Sequence, residues 1–341
     1  MQENIKKKKN KLVILFIIID SFLVIALVIF YGPFAFFRDL WISTAMTTAS
    51  HKYLAKTIYS ESAINDSINN NINLKALDDT DASLIEIGDL EEMENYDSEY
   101  DEQILKRENK DDSFKVIEIS GTSWKGHIVA IYDPTKVKLV QSPKYKTGGQ
   151  ILDKLAETYN ARVAINASGF SRNGKALSPV GSVIMEGQVV KDAKNPASEA
   201  SIIGLNKDGV LVLSTKSVQE LVEKDEIVSA MEFWPFLVVN GVKTEFSGNG
   251  GWGIAPRTAI GQRKDGIILF VVIDGRRASH SLGVSMKELA DVMYNYGCYN
   301  AANLDGGGSS SMYVDGNIIS IAGGAGYSGD RYLLNAWVLV E

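Results

Sequence analysis

A single cysteine, Cys298, stands among 341 residues, so no intramolecular disulfide can form. Only three histidines accompany it, His51, His127 and His280, and none of the His/Cys spacings used by zinc sites occurs. No Gly-x-Ser-x-Gly elbow exists, which removes the serine-hydrolase reading. No lysine follows the one run of three glycines, which argues against a Walker-type phosphate loop. Residues 113–341 carry a net charge of only +1, so the clustered basic footprint of a nucleic-acid-binding protein is missing. Internal repeats and regular βαβ alternation are also absent, which argues against a doubly wound parallel sheet. Cys298 itself, beside Tyr296 and Tyr299 and just before a strand, reads as a small buried core residue.

Charge and hydropathy divide the rest. Lys6 to Lys9 and Lys11 precede a run, Leu12 to Tyr31, that is apolar except for Asp20 and Ser21. About 20 apolar residues suffice to cross a bilayer. The run is long for a signal peptide, the rival reading, and no small-residue cleavage site follows closely. The expectation is a basic cytoplasmic tail at 1–11 and a single-pass anchor at 12–37, with the remainder outside the cell membrane. An exported chain without disulfides fits a bacterial surface protein. Residues 38–112 read as a juxtamembrane helix followed by a stalk. The stalk, 60–112, carries a net charge of -13, is rich in asparagine and poor in aromatics, and is expected to be largely disordered and solvated.

From Ser113 onward short apolar runs alternate with Gly, Asn, Asp and Pro turns. Helical spacing occurs at 151–159 and 217–222, and after Ser285, which forms a capping box with Glu288. The expected fold is α+β: a strand-rich, mixed-sheet single catalytic domain over 113–341 with two or three helices, preceded by the transmembrane helix and stalk.

The stretch Asn303-Leu-Asp-Gly-Gly-Gly-Ser-Ser-Ser311 stands between two apolar runs. Three glycines between strands are entropically costly, so either a ligand needs bare backbone there or the stretch is a plain turn. Asp274 and Asp305 each end a hydrophobic strand, and paired carboxylates are the usual equipment for glycoside cleavage. An Asp before Gly also merely caps a turn. Arg257, opening a strand after a proline, is placed to hold a phosphate or carboxylate, or a surface ion pair. Asn166, in a Gly/Ser turn, suits ligand hydroxyls or a left-handed conformation. His280 is either an acid or base, or simply exposed. The metal ligands, if any, are unassigned: no cofactor is implied, and an oxygen-ligated cation of the calcium kind is left open.

Five blocks occur in order: Asn166-Ala-Ser-Gly-Phe170, the Pro235 strand with Asn240-Gly241, Arg257-Thr-Ala-Ile-Gly261, Asp274-Gly-Arg276, and Asn303-Leu-Asp-Gly-Gly-Gly-Ser-Ser310. Together they resemble the phosphodiester glycosidase family over roughly residues 113–341. The resemblance implies hydrolysis of a sugar-1-phosphodiester, of the N-acetylglucosamine kind, at the anomeric carbon, with a carbohydrate phosphodiester as the partner. It implies Asp305 as nucleophile or base and Asp274 as its partner. Arg257, the N–H groups of Gly306, Gly307 and Gly308, and Ser309 or Ser310 would hold the phosphate. Asn166 would contact the sugar, and His280 would line the site. The first block departs from the family's Asn-Gly-Gly-Phe-Phe, so Ala167 and Ser168 are expected to narrow that loop. With an outward-facing anchor, the expected substrates are cell-wall or exopolysaccharide polymers. A non-catalytic glycan- or phosphate-binding module in polysaccharide assembly is the alternative. The oligomeric state is not readable from the sequence.

Overall fold

In the computed structural model of the chain, residues 2–48, 51–71, 79–88, 95–145, 147–173, 176–193, 201–322 and 331–341 are described. The most hydrophobic strand of 113–341, Ile268–Ile273, is buried at every position because it lies inside a sheet covered on both faces. That seven-stranded sheet runs, in spatial order, Phe114–Ser120, Lys125–Ile131, Ile268–Ile273, Arg257–Arg263, Cys298–Asn303, Phe236–Val239 and Val242–Lys243. A five-stranded sheet places Ala161–Asn166 between Met312–Val314 and Asn335–Val340. A second five-stranded sheet is centred on Ile227–Glu232. Every pairing among the described strands is antiparallel.

One core joins the three sheets: Phe270 and Ile260 from the first, Trp337 and Ile165 from the second, Leu213 and Met231 from the third. Among the described residues three α-helices lie within 113–341, namely Leu152–Thr158, Val218–Lys224 and Met286–Asn295, so the strand-rich α+β architecture is as expected. Both halves of the Ser285–Glu288 capping box form. Cys298 is buried, and a Cβ at Gly261 would come within 2.6 Å of its sulfur. Burial pushes its thiol pKa up to about 12, away from nucleophilic use.

The chain divides into two compact units, 1–73 with 247–253, and 74–246 with 254–341. In the first, the helix Gln2–Tyr31 contains the one segment among the described residues long and apolar enough to cross a membrane, Asn10–Tyr31. Helices Ala35–Met46, Tyr53–Lys56 and Glu61–Asn71 close a small core of Ile42, Ala55, Tyr59 and Ile64. The glycine-rich loop 247–253 joins them through Asn249, whose amide donates to Ser43 Oγ at 2.7 Å.

The solvated stalk differs from expectation in three described segments of 60–112. Glu61–Asn71 packs Ile64 into the helical unit. Residues 79–88 run along the second unit: Thr80 exchanges hydrogen bonds with Leu213, Asp79 accepts from Ser214 and Thr215, and Ile85 is buried. The helix Glu99–Leu105 buries Ile104, and Asp101 pairs with Arg263 at 2.8 Å. Acidic composition misled here because a few aliphatic and carboxylate side chains, at the right spacing, meet partners supplied by distant strands. A fragment beginning at residue 113 lacks Ile85 and Ile104 and is therefore expected to be less stable than one beginning at 79 by at least about 3 kcal/mol, from the lost burial of these two side chains alone. Urea titrations of the two fragments check this; coincident midpoints would refute it.

Candidate active site

The triglycine turn is built by hydrogen bonds from three neighbouring segments. Leu304 N donates to Thr258 O at 2.9 Å, Asp305 N to Ala167 O at 3.0 Å, and Gly307 N to Pro256 O at 2.8 Å. A short 3-10 turn, Gly307–Ser309, follows, and Gly307 adopts φ +62°, a left-handed conformation that favours glycine. Asn166, at the end of a buried strand, is the fastener. Its Oδ1 accepts from Thr258 Oγ1 (2.8 Å) and Ser311 N (3.1 Å), and its Nδ2 donates to Asp305 O (2.6 Å). With 1% of its surface exposed, Asn166 serves the turn from within rather than standing in the open site where sugar contact was expected. Asn166→Ala strands three buried polar groups, so it is expected to cost about 3 kcal/mol and lower the melting temperature by on the order of 10 °C. Scanning calorimetry would reject the role if the shift were under about 2 °C.

Asp305 keeps a partial opening to solvent, yet the protein packed around its carboxylate pushes the pKa up to about 6. The Ser309 hydroxyl, the Arg331 charge and the Gly306 N–H (3.1 Å from Oδ1) oppose that rise without cancelling it. Gly169 faces Asp305: a Cβ there would lie 3.9 Å from Oδ1 and 3.1 Å from the Phe233 ring. Ala167 and Ser168 do not narrow this face. Ala167 belongs to the core, and Ser168 is buried against Asn335, whose Oδ1 accepts from Ser168 Oγ at 2.6 Å.

Each glycine of the turn abuts a guanidinium. A Cβ on Gly306 would stand 3.7 Å from Arg257 Nη1, on Gly307 3.1 Å from Arg276 Nη2, and on Gly308 3.2 Å from Arg331 Nη1. Arg257 is buried and donates from Nε to Val284 O. Burial, then the nearby Arg276 charge, bring its pKa down to about 9. Desolvation of its guanidinium in the turn, although the residue keeps an exposed surface, and then the Arg331 charge lower that of Arg276 likewise. The expected main-chain cradle is mostly spent inside the protein, since Gly306 N–H serves Asp305 and Gly307 N–H serves Pro256. Ser309 and Ser310 are also buried, Ser309 bonded to Asp305.

Asp274 is buried and fully occupied. Its Oδ1 accepts from Ile321 N at 2.6 Å, and its Oδ2 lies 2.7 Å from His280 Nε2. This geometry makes Asp274 an orienter of His280, the half-buried member of the pair. Gly275 presses on Pro256, which also receives the Gly307 N–H, so the two Asp-Gly turns share one support. Among the described residues no three His, Cys, Asp or Glu side chains converge as a metal site would require.

Arg331, Phe233 and Asn335 are not singled out by the sequence, and Thr258 and Arg276 stand there only inside motifs. A second glycine-dense stretch at 323–329, two residues before Arg331, is the available signal.

A carboxylate of raised pKa is thus set among three arginines beside strand ends. The chain belongs to the phosphodiester glycosidase family, whose profile matches residues 159–340. It is 32% identical over 185 residues to an uncharacterised SPbeta prophage-derived protein of Bacillus subtilis strain 168, covering 51% of this chain and 27% of that one. It is 26% identical over 238 residues to the human N-acetylglucosamine-1-phosphodiester alpha-N-acetylglucosaminidase, covering 62% and 43%. The matches thus span less than half the length of either relative. The fold matches the zebrafish N-acetylglucosamine-1-phosphodiester alpha-N-acetylglucosaminidase catalytic domain, auto-inhibited by its pro-peptide, with a TM-score of 0.55 at 21% identity over 67% of this chain and 82% of that one. An exported protein from Burkholderia pseudomallei K96243 gives a TM-score of 0.50 at 17% identity, covering 64% and 74%.

Proposed function

We propose that this chain is a membrane-anchored hydrolase that cleaves a sugar-1-phosphodiester at the anomeric carbon. The observation that carries the reading is the joining, in one turn, of the Asp305 carboxylate with the guanidinium groups of Arg257, Arg276 and Arg331. Arg257 and Arg276 neutralise the phosphodiester. Asp305, ionised above about pH 6, acts on the anomeric carbon as nucleophile or as base toward water. A phosphomonoester leaves readily, its second pKa being near ~6, so little general-acid help is required. Asp274 holds His280, which meets the leaving group or a sugar hydroxyl.

The Lys6 to Lys11 cluster sets the N-terminus in the cytoplasm and the catalytic unit outside, facing wall or exopolysaccharide polymers. Protease added to intact cells should then remove the catalytic unit and spare the tail. The function is tested by incubating the full-length protein in detergent with an aryl N-acetylglucosamine phosphodiester or UDP-N-acetylglucosamine. Release of free sugar is expected. Saturable binding without release would favour the non-catalytic module, and freeing of the phosphate portion only with an added acceptor, to which the sugar is then joined, would mean transfer.

A further inference from the structure

The cationic side of this turn exceeds what one phosphodiester needs. Arg257 stands buried beside Gly306, where it faces a single negative charge once substrate is bound. Arg276 and Arg331 are exposed and flank the next two residues, Gly307 and Gly308. Consecutive Cα atoms are about 3.8 Å apart, so these two cations attend neighbouring points of one turn. Among the described residues neither forms an ion pair with a carboxylate. Like charges gathered this way repel, and the lowered pKa of Arg276 records Arg331 as a cause. Arg331 is held in place from outside the turn, its guanidinium lying over the Phe170 ring at 5.2 Å. A ring contact of this kind orients the cation without neutralising it.

We propose that Arg331 is a specificity residue that reads a second negative charge on the substrate, next to the scissile phosphodiester. The site then favours sugar-1-phosphate esters whose leaving portion is itself anionic, through a second phosphate or a carboxylate. This rests on the phosphodiester reading of the site. A bland alternative is that Arg331 only helps Asp305 ionise. In that case its loss would affect all substrates alike and shift the pH midpoint.

Three probes sharing N-acetylglucosamine separate these roles in the full-length protein: an aryl phosphodiester with one charge, UDP-N-acetylglucosamine with a second phosphate, and a glycerate phosphodiester with a carboxylate. Wild-type kcat/KM is expected to be roughly ten-fold higher for at least one dianionic probe. Arg331→Gln should erase that preference, costing the favoured probe roughly ten times more than the aryl one. Whether UDP-N-acetylglucosamine or the glycerate ester responds identifies the source of the charge. Equal losses on all three, or no wild-type preference, would overturn the proposal. Calorimetry with inorganic pyrophosphate and phosphate separates this from a failure of the catalytic reading. A pyrophosphate preference that Arg331→Gln removes upholds the inference even if no probe is hydrolysed, whereas equal affinities overturn it.

Discussion

Asp305→Asn lowers kcat/KM on a sugar-1-phosphodiester at least about a thousand-fold and, at neutral pH, raises the melting temperature. The two effects have one cause. Folding packs protein around the Asp305 carboxylate and lifts its pKa from the usual 3.8 to about 6. A raised carboxylate pKa means the folded state disfavours the charge. The penalty is absent below about pH 4, grows as the pH rises toward about 6, and is complete above that. Its full size is about 2 kcal/mol once the residual solvent opening is allowed for. Asparagine keeps the shape and removes the charge, so the melting temperature should rise by about 4–8 °C at neutral pH and hardly change at about pH 4. Wild-type kcat/KM should rise with pH through a midpoint near 6, as the reactive form ionises. Thermal melts at the two pH values, with a pH–rate profile, check both parts. Near-normal turnover in the asparagine variant would end the assignment of Asp305.

Arg257→Met should lower kcat/KM about 100- to 1000-fold without a matching loss of stability, the order seen when one preorganised charge-stabilising group is removed. Arg257 is buried, and its charge is held at a cost that burial and Arg276 create together. Methionine retains much of the apolar stem and relieves that cost, so the melting temperature is expected to hold or rise. Arg257→Lys should not rescue activity, because an ammonium cannot reproduce the planar fork that grips two phosphate oxygens. A large drop in melting temperature for Arg257→Met, with activity falling in proportion, would make Arg257 a structural residue instead.

Several elements were legible from residue order alone because their causes are local. Ile268–Ile273 is a continuous apolar run, and a doubly covered strand needs nothing more. The capping box at Ser285 is written within four residues. Asp305, Asp274 and Arg257 were found because each stands at a strand end beside Gly or Pro. Their roles were less legible. Asp274 reads as an open catalytic carboxylate until Ile321 and His280 are seen on its two oxygens. Asn166 reads as a ligand contact until Thr258, Asp305 and Ser311 claim its amide. The acidic stretch reads as solvated throughout until Ile85, Ile104 and Asp101 meet strands far along the chain.

By itself the sequence determined the apolar N-terminal helix, the strand-rich α+β unit, and the glycine turn with its carboxylate, since each follows from hydropathy, backbone freedom or charge within a short window. Only the tertiary structure decided that Arg276 and Arg331 join Arg257 around that turn, that its N–H groups are mostly spent internally, and that Asp305 carries a raised pKa. The reason is physical: local conformation depends on neighbours in the chain, whereas desolvation and Coulomb coupling depend on which distant segments the sheets bring within a few ångströms.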